Sequence, residues 1–100
     1  MKIITICGSL KFEEEIKYYT EKLELDGNCV LSIAYPTKKK EAYTQEEIRI
    51  LGMAHYKKIE ISDAIFVVNK NGYIGDAVKK EIEYAKRLNK EIMYLEKINE

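Results

Sequence analysis

Hydrophobic positions in this chain change period several times along its length, and each change marks an element. Lys2 to Cys7 is rich in isoleucine and alternates little, which is the pattern of a central strand covered on both faces. Gly8-Ser9 breaks the run, and Ser9 is placed to cap a helix beginning near Leu10. Leu10, Phe12, Ile16, Tyr19 and Leu23 give that helix an inner side, and Asp26-Gly27-Asn28 marks its exit. Cys29 to Ile33 reads as a second strand ended by Pro36, and the polar stretch Thr37 to Tyr43, with Lys38-Lys39-Lys40, as an exposed loop. Thr44 followed three positions later by Glu47 is a capping-box pattern. It predicts a helix over Gln45 to Glu60 that buries Ile48, Leu51, His55 and Ile59.

Ser62-Asp63 then turns the chain into a third strand, Ala64 to Val68, apolar at every position. Asn69 to Asp76 closes that strand and opens a helix. At about 100° per residue, Ala77, Val78, Ile82, Tyr84, Ala85 and Leu88 share one stripe of it, with Lys79, Lys80, Glu83, Lys86 and Arg87 opposite. Asn89-Lys90-Glu91 leads to a last strand, Ile92 to Leu95. Strands alternating with helices predict right-handed crossovers and a parallel sheet between helical layers. The expected fold is a single α/β domain over residues 1–100, a three-layer sandwich with a four-stranded parallel sheet in the order 2-1-3-4. Ligands of such folds bind at the carboxyl ends of the strands, where the winding reverses, here between strands one and three. The two glycine-bearing turns, Cys7-Gly8-Ser9-Leu10 and Asn69 to Asp76, flank that point.

Composition narrows the partners. With 100 residues, 46% apolar, and 17 basic side chains balancing 17 acidic ones, the chain lacks the basic excess that phosphate-backbone binding requires, so nucleic acid is not expected. Met1 to Cys7 is too brief for a signal peptide or a membrane span, and a cytoplasmic protein is expected. Cys7 and Cys29 are far apart with no CxxC pair, and His55 is the single histidine. That spacing reads as reduced, packed thiols and predicts no metal site. Cys7 nonetheless falls where the first strand meets the ligand edge.

Several side chains in this frame suit chemistry. Gly8 and Ser9 offer backbone N–H groups and a hydroxyl to an anion, although a tight turn with a capping serine has the same sequence. Asn71, Gly72 and Gly75 form a second such turn, and Tyr73 and Ile74 between the glycines are suited to wall a flat ring. Glu81 lies on the apolar stripe between Val78 and Ala85. A carboxylate turned toward a core is costly unless paired or lining a pocket; in a pocket it serves as a nucleophile at an anomeric carbon or stabilises a cationic sugar, and otherwise it reaches the rim to pair with a lysine such as Lys80. His55, also on an apolar stripe, reads as a satisfied core residue or a contact to substrate. The lysine run is a solvated loop or an attraction for phosphate, and Tyr18, Tyr19, Tyr43 and Tyr56 suit packing or a subunit interface.

The stretch Ser62-Asp63 with its apolar strand, the loop Asn71 to Asp76, the segment Glu81-Ile82-Glu83-Tyr84-Ala85 and Lys90 before the final strand together resemble the nucleoside 2-deoxyribosyltransferase family and the related 2'-deoxynucleoside 5'-phosphate N-hydrolases. The resemblance implies a flavodoxin-like (Rossmann-like) fold with Glu81 as the nucleophile. Glu81 would attack C1' of a 2'-deoxynucleoside, and the deoxyribosyl-enzyme would pass the sugar to a second base or to water. It also implies no metal or organic cofactor, Ser9, Gly72 and Gly75 along the sugar or its 5' substituent, Tyr73 and Asp76 against the base or a sugar hydroxyl, and a homodimer or higher homo-oligomer. Where the family commonly has an Asp, eight residues before Asp63, this chain has His55. The alternative is a non-catalytic nucleotide- or nucleotide-sugar-binding module of the same fold.

Overall fold

The computed structural model describes residues 1–98. Four strands, β1 (Ile3–Gly8), β2 (Cys29–Leu31), β3 (Ala64–Val68) and β4 (Glu91–Tyr94), alternate with three helices, α1 (Glu13–Leu25), α2 (Gln45–Glu60) and α3 (Asp76–Arg87). All strand pairs are parallel and the order is β2-β1-β3-β4, as the alternation predicted. The pleat divides the central strands between two cores. Ile4, Ile6, Ala64, Phe66 and Val68 pack with Phe12, Ile16 and Leu23 on the α1 side. Cys7, Ile65 and Val67 pack with Ile59 of α2 and with Val78, Ile82 and Ala85 of α3 on the other.

Polar side chains finish the sheet ends. The Asp63 carboxylate accepts from the Ile3 amide at 2.8 Å, and the buried hydroxyls of Thr5 and Ser62 share a hydrogen bond of 2.6 Å. Gly8 belongs to the sheet itself, where a Cβ would stand 3.1 Å from that of Val68. The two strand ends that flank the reversal point thus pack closely, and a larger residue here requires Val68 to give by a few tenths of an ångström.

Four expectations need correction. The first helix does not begin at Leu10: Leu10–Phe12 forms a 3-10 turn capped by Ser9, and α1 starts at Glu13. β2 stops at Leu31, short of Ile33, because β1 supplies partners only opposite Cys29, Val30 and Leu31. In α3, Ala77 and Leu88 are exposed, since they lie at the two ends of the helix, beyond the sheet that covers its middle. The largest departure is in α2, where Ile48 and Leu51 are 51% and 46% exposed. They share a stripe with His55 and Ile59 as expected, but the chain from Ile33 to Tyr43 stands off that stripe and leaves a crevice instead of core.

Candidate active site

Glu81 is carried to the sheet by the residues around it. Val78, Ile82 and Ala85 are buried against β1 and β3, and the helical period places Glu81 beside them at the seam between α3 and α2. Two aromatic contacts fix that seam: Tyr56 meets Tyr84 edge to face with centroids 4.9 Å apart, and the Tyr84 hydroxyl donates to Glu60 at 3.0 Å. Across the seam His55 projects from α2. Its Nε2 lies 3.4 Å from Glu81 Oε1, and the two side chains are only 14% and 17% exposed.

The same Nε2 lies 3.6 Å from Cys7 Sγ. Cys7, from the carboxyl end of β1, is fully buried, and burial together with the neighbouring Glu81 carboxylate pushes its thiol well above the ordinary range. Burial and Glu81 also raise the Tyr56 phenol. Cys7, His55 and Glu81, from three elements, form one cluster whose ligating atoms all lie within 4.8 Å of one another. The arrangement is not a nucleophile–base–carboxylate relay. In a relay the imidazole bridges its partners through two different nitrogens, whereas here thiol and carboxylate converge on one.

His55 also joins this cluster to the crevice. A hollow of ≈ 740 Å³ opens between α2 and the chain after β2, lined by Leu10, Tyr35, Pro36, Ile48, Leu51 and His55, among others, with Lys38, Lys40 and Lys58 at its polar edge. Its size suits a small organic ligand. Tyr35 leans toward Ser32, yet its buried hydroxyl makes no hydrogen bond of normal geometry. A smaller hollow of ≈ 330 Å³ along α1, at Lys17, Glu21 and Ser32, shares no residue with the Cys7–His55–Glu81 cluster.

The predicted binding turns sit differently. Gly8 is half-buried and packs closely on Val68, and the Ser9 hydroxyl accepts from the Lys11 amide at 3.4 Å. The first turn of α1 carries Glu13, Glu14 and Glu15, which opposes an anion there. In the second turn Asn71 and Gly72 take positive φ, 56° and 76°, and Asn71 donates its amide to Glu96 Oε2 at 2.7 Å. Asn69 anchors the loop through its buried amide, giving and receiving 2.8 Å bonds with the Glu96 backbone. Tyr73 packs edge to face on Phe12, 5.9 Å between centroids, under the Lys11 ammonium. Gly75 leaves room for the Tyr73 hydroxyl, and Asp76 opens α3.

Asn71, Gly72, Tyr73, Gly75 and Asp76 therefore surround the β3–α3 turn and do not line the ≈ 740 Å³ crevice. Of the predicted residues, the fold brings Glu81 and His55 together. Sequence reasoning left out Cys7 as a site residue and missed Tyr35 and Pro36. The signal for Cys7 was its place at the end of the first strand, two residues after Thr5 and hence on the α2–α3 face. Its spacing from other metal-binding residue types concealed the cluster, because spacing counts neighbours in sequence and these three are gathered by topology.

No protein-family model matches the sequence, and no curated protein does. Among solved structures, a 2-deoxyribosyltransferase from the psychrotolerant bacterium Bacillus psychrosaccharolyticus is similar, with a TM-score of 0.75 at 18% identity over 97% of this chain and 77% of that one. Sheet order, crossover helices and the near-complete overlap agree: the chain has the fold of that 2-deoxyribosyltransferase.

Proposed function

We propose that the protein cleaves the N-glycosidic bond of 2'-deoxynucleosides or their 5'-monophosphates, with Glu81 as nucleophile. One observation carries this reading: a mostly buried carboxylate meets, through His55, an apolar crevice of nucleoside size. In the first step Glu81 bonds to C1' while the C1'–N bond breaks and its electron pair leaves with the base, which takes up a proton. In the second, water or an incoming base attacks C1' and releases the carboxylate. His55 at 3.4 Å is placed to hydrogen-bond the base or the sugar. Lys38 and Lys40 at the crevice edge favour an anionic 5'-phosphate.

The likeness to a 2-deoxyribosyltransferase supports this choice of chemistry. A homo-oligomer is the favoured assembly, because Ile50 and Met53, 53% and 58% exposed on the back of α2, offer apolar surface to a second copy. No helix among the described residues is long and apolar enough to cross a membrane. A binding module that senses a nucleotide without turnover is the second reading, favoured by the engagement of Glu81 with His55.

The test is chromatographic detection of free base from 2'-deoxynucleosides and their 5'-monophosphates, with and without an acceptor base, for wild type and Glu81→Gln. Release by wild type alone supports the enzyme. Acceptor dependence separates transfer from hydrolysis, and nucleotide binding with no base release by either protein favours the sensor.

A further inference from the structure

Cys7, His55 and Glu81 have a second capability that does not depend on glycosidic chemistry. An imidazole nitrogen has a single in-plane direction, along which lies either one proton or one lone pair. Here two partners of different chemistry, Cys7 Sγ at 3.6 Å and Glu81 Oε1 at 3.4 Å, converge on that one nitrogen. A lone pair or proton directed at one of them is misdirected for the other, and the Cys7 thiol has the Glu81 carboxylate itself within hydrogen-bonding reach. An atom placed between all three satisfies them together.

The distances at Nε2 and the donor types together suit one class of atom. With zinc–sulfur bonds of about 2.3 Å and zinc–nitrogen or zinc–oxygen bonds of about 2.0–2.2 Å, a tetrahedral ion separates sulfur from nitrogen by about 3.5 Å and nitrogen from oxygen by about 3.3 Å. The two edges at Nε2 are close to the 3.6 and 3.4 Å observed, and the sulfur–oxygen edge lies within 4.8 Å. Thiolate, imidazole and carboxylate together are a borderline-soft donor set, suited to zinc and unsuited to magnesium or calcium, which take oxygen ligands. With a neutral imidazole the set carries two negative charges, which a divalent cation cancels. Ligands come from β1, α2 and α3, each packed into the same core, so the site is organised before the ion arrives. Three protein ligands leave a fourth position free, the composition of an open zinc site.

We propose that Cys7, His55 and Glu81 form a binding site for a thiophilic divalent cation of the zinc class, with the fourth position facing the crevice. As the sulfur–metal bond forms, the thiol proton passes to solvent. Occupancy engages the Glu81 carboxylate and removes it from any other chemistry. The proposal concerns binding and holds or fails whether or not the protein releases bases.

The experiment is titration of the metal-free, reduced protein with Zn²⁺ by calorimetry and with Co²⁺ by absorption spectroscopy. Wild type is expected to take up one equivalent of either ion and, with Co²⁺, to develop the near-ultraviolet band of a thiolate ligand. Cys29→Ser is expected to keep that band. Cys7→Ser is expected to lose it, and His55→Gln to bind Zn²⁺ at least about tenfold more weakly. No saturable binding, binding without the thiolate band, or a band that disappears with Cys29→Ser would each overturn the site. Should Cys7→Ser not fold, as judged by circular dichroism, wild type and Cys29→Ser decide between them, because Cys7 and Cys29 are the two thiols present.

Discussion

Helices α2 and α3 lie side by side on one face of the sheet, each turning a polar residue toward the other, yet they are held by different forces. α3 buries Val78, Ile82 and Ala85 along its length, and Gly75 before it supplies no side-chain cap. α2 begins with a complete capping box, in which Thr44 Oγ1 accepts from the Glu47 amide at 3.0 Å and Glu47 Oε1 from the Thr44 amide at 2.9 Å. Ile59 is its first fully buried residue, with His55 and Tyr56 half-buried before it. The core fixes α3; local hydrogen bonds start α2, and the segment from His55 to Ile59 anchors its C-terminal half. The apolar stripe of α2 gives its earlier turns to a crevice, whereas α3 carries Glu81 to the site on a helix that the core holds along its length.

That contrast is broken most forcefully at Glu81. Glu81→Gln keeps the shape of the side chain and its place between Val78 and Ala85, so folding and nucleotide affinity are expected to change little. Base release is expected to fall by at least about 10⁴-fold, the scale of losing a group that acts as nucleophile. Retention of more than a tenth of the wild-type rate in single-turnover assays would sink the role given to this carboxylate.

Next in size is stability. Ile82→Ala on α3 removes a side chain that is 7% exposed and packed against the sheet, and is expected to cost about 2–5 kcal/mol by urea denaturation. Ile48→Ala on α2 is expected to cost within about 0.5 kcal/mol, because its side chain faces the crevice. It is expected instead to weaken nucleotide binding, measured by calorimetry. Equal destabilisation by the two substitutions would erase the distinction between the helices.

The contrast also explains what could be read from the sequence. The parallel sheet, its order and the stripe carrying Glu81 were legible because β3 is buried at every position and α3 buries one stripe along its length, so the residues of each obey one requirement. The pattern of α2 was legible as a stripe, but a helix facing core and one facing a crevice need the same residue types. Only the packing of Ile33 to Tyr43 against it decides between them. The turn at Gly8-Ser9 was read as an anion site or a tight turn with a capping serine, because the same residue types serve for close packing against Val68 and capping of a 3-10 turn. Cys7 was legible as a strand-end residue, and its convergence with His55 depends on crossovers that bring residues 7, 55 and 81 together.

A smaller effect tests the start of α2 directly. Thr44→Ala removes one of the two reciprocal bonds and is expected to cost about 1 kcal/mol at neutral pH, measured by thermal or urea denaturation. The other bond responds to acid. The Thr44 amide, with help from Lys38, holds the Glu47 carboxyl below its ordinary value of 4.5. Because the folded value is the lower one, this contribution is present above the ordinary value and is lost as pH falls through the folded one. The stability gap between wild type and Glu47→Ala is therefore expected to narrow below that range. A gap unchanged by acid would mean that Glu47 acts through its packing alone.

The smallest expected change in stability, and the one that says most about the back of α2, is at Ile50. This residue and Met53 lie about half a helical turn from the crevice stripe and contribute nothing to either core. Replacing Ile50 with lysine is expected to alter the stability of the monomer by within about 0.5 kcal/mol. If that face is covered by a second copy, the charge is placed against apolar surface and the assembly is expected to dissociate. Sedimentation velocity on wild type and Ile50→Lys measures this. A monomeric wild type, or an oligomer indifferent to the lysine, would remove the outer face of α2 from the assembly and leave the crevice stripe as the one apolar surface of this helix with a function.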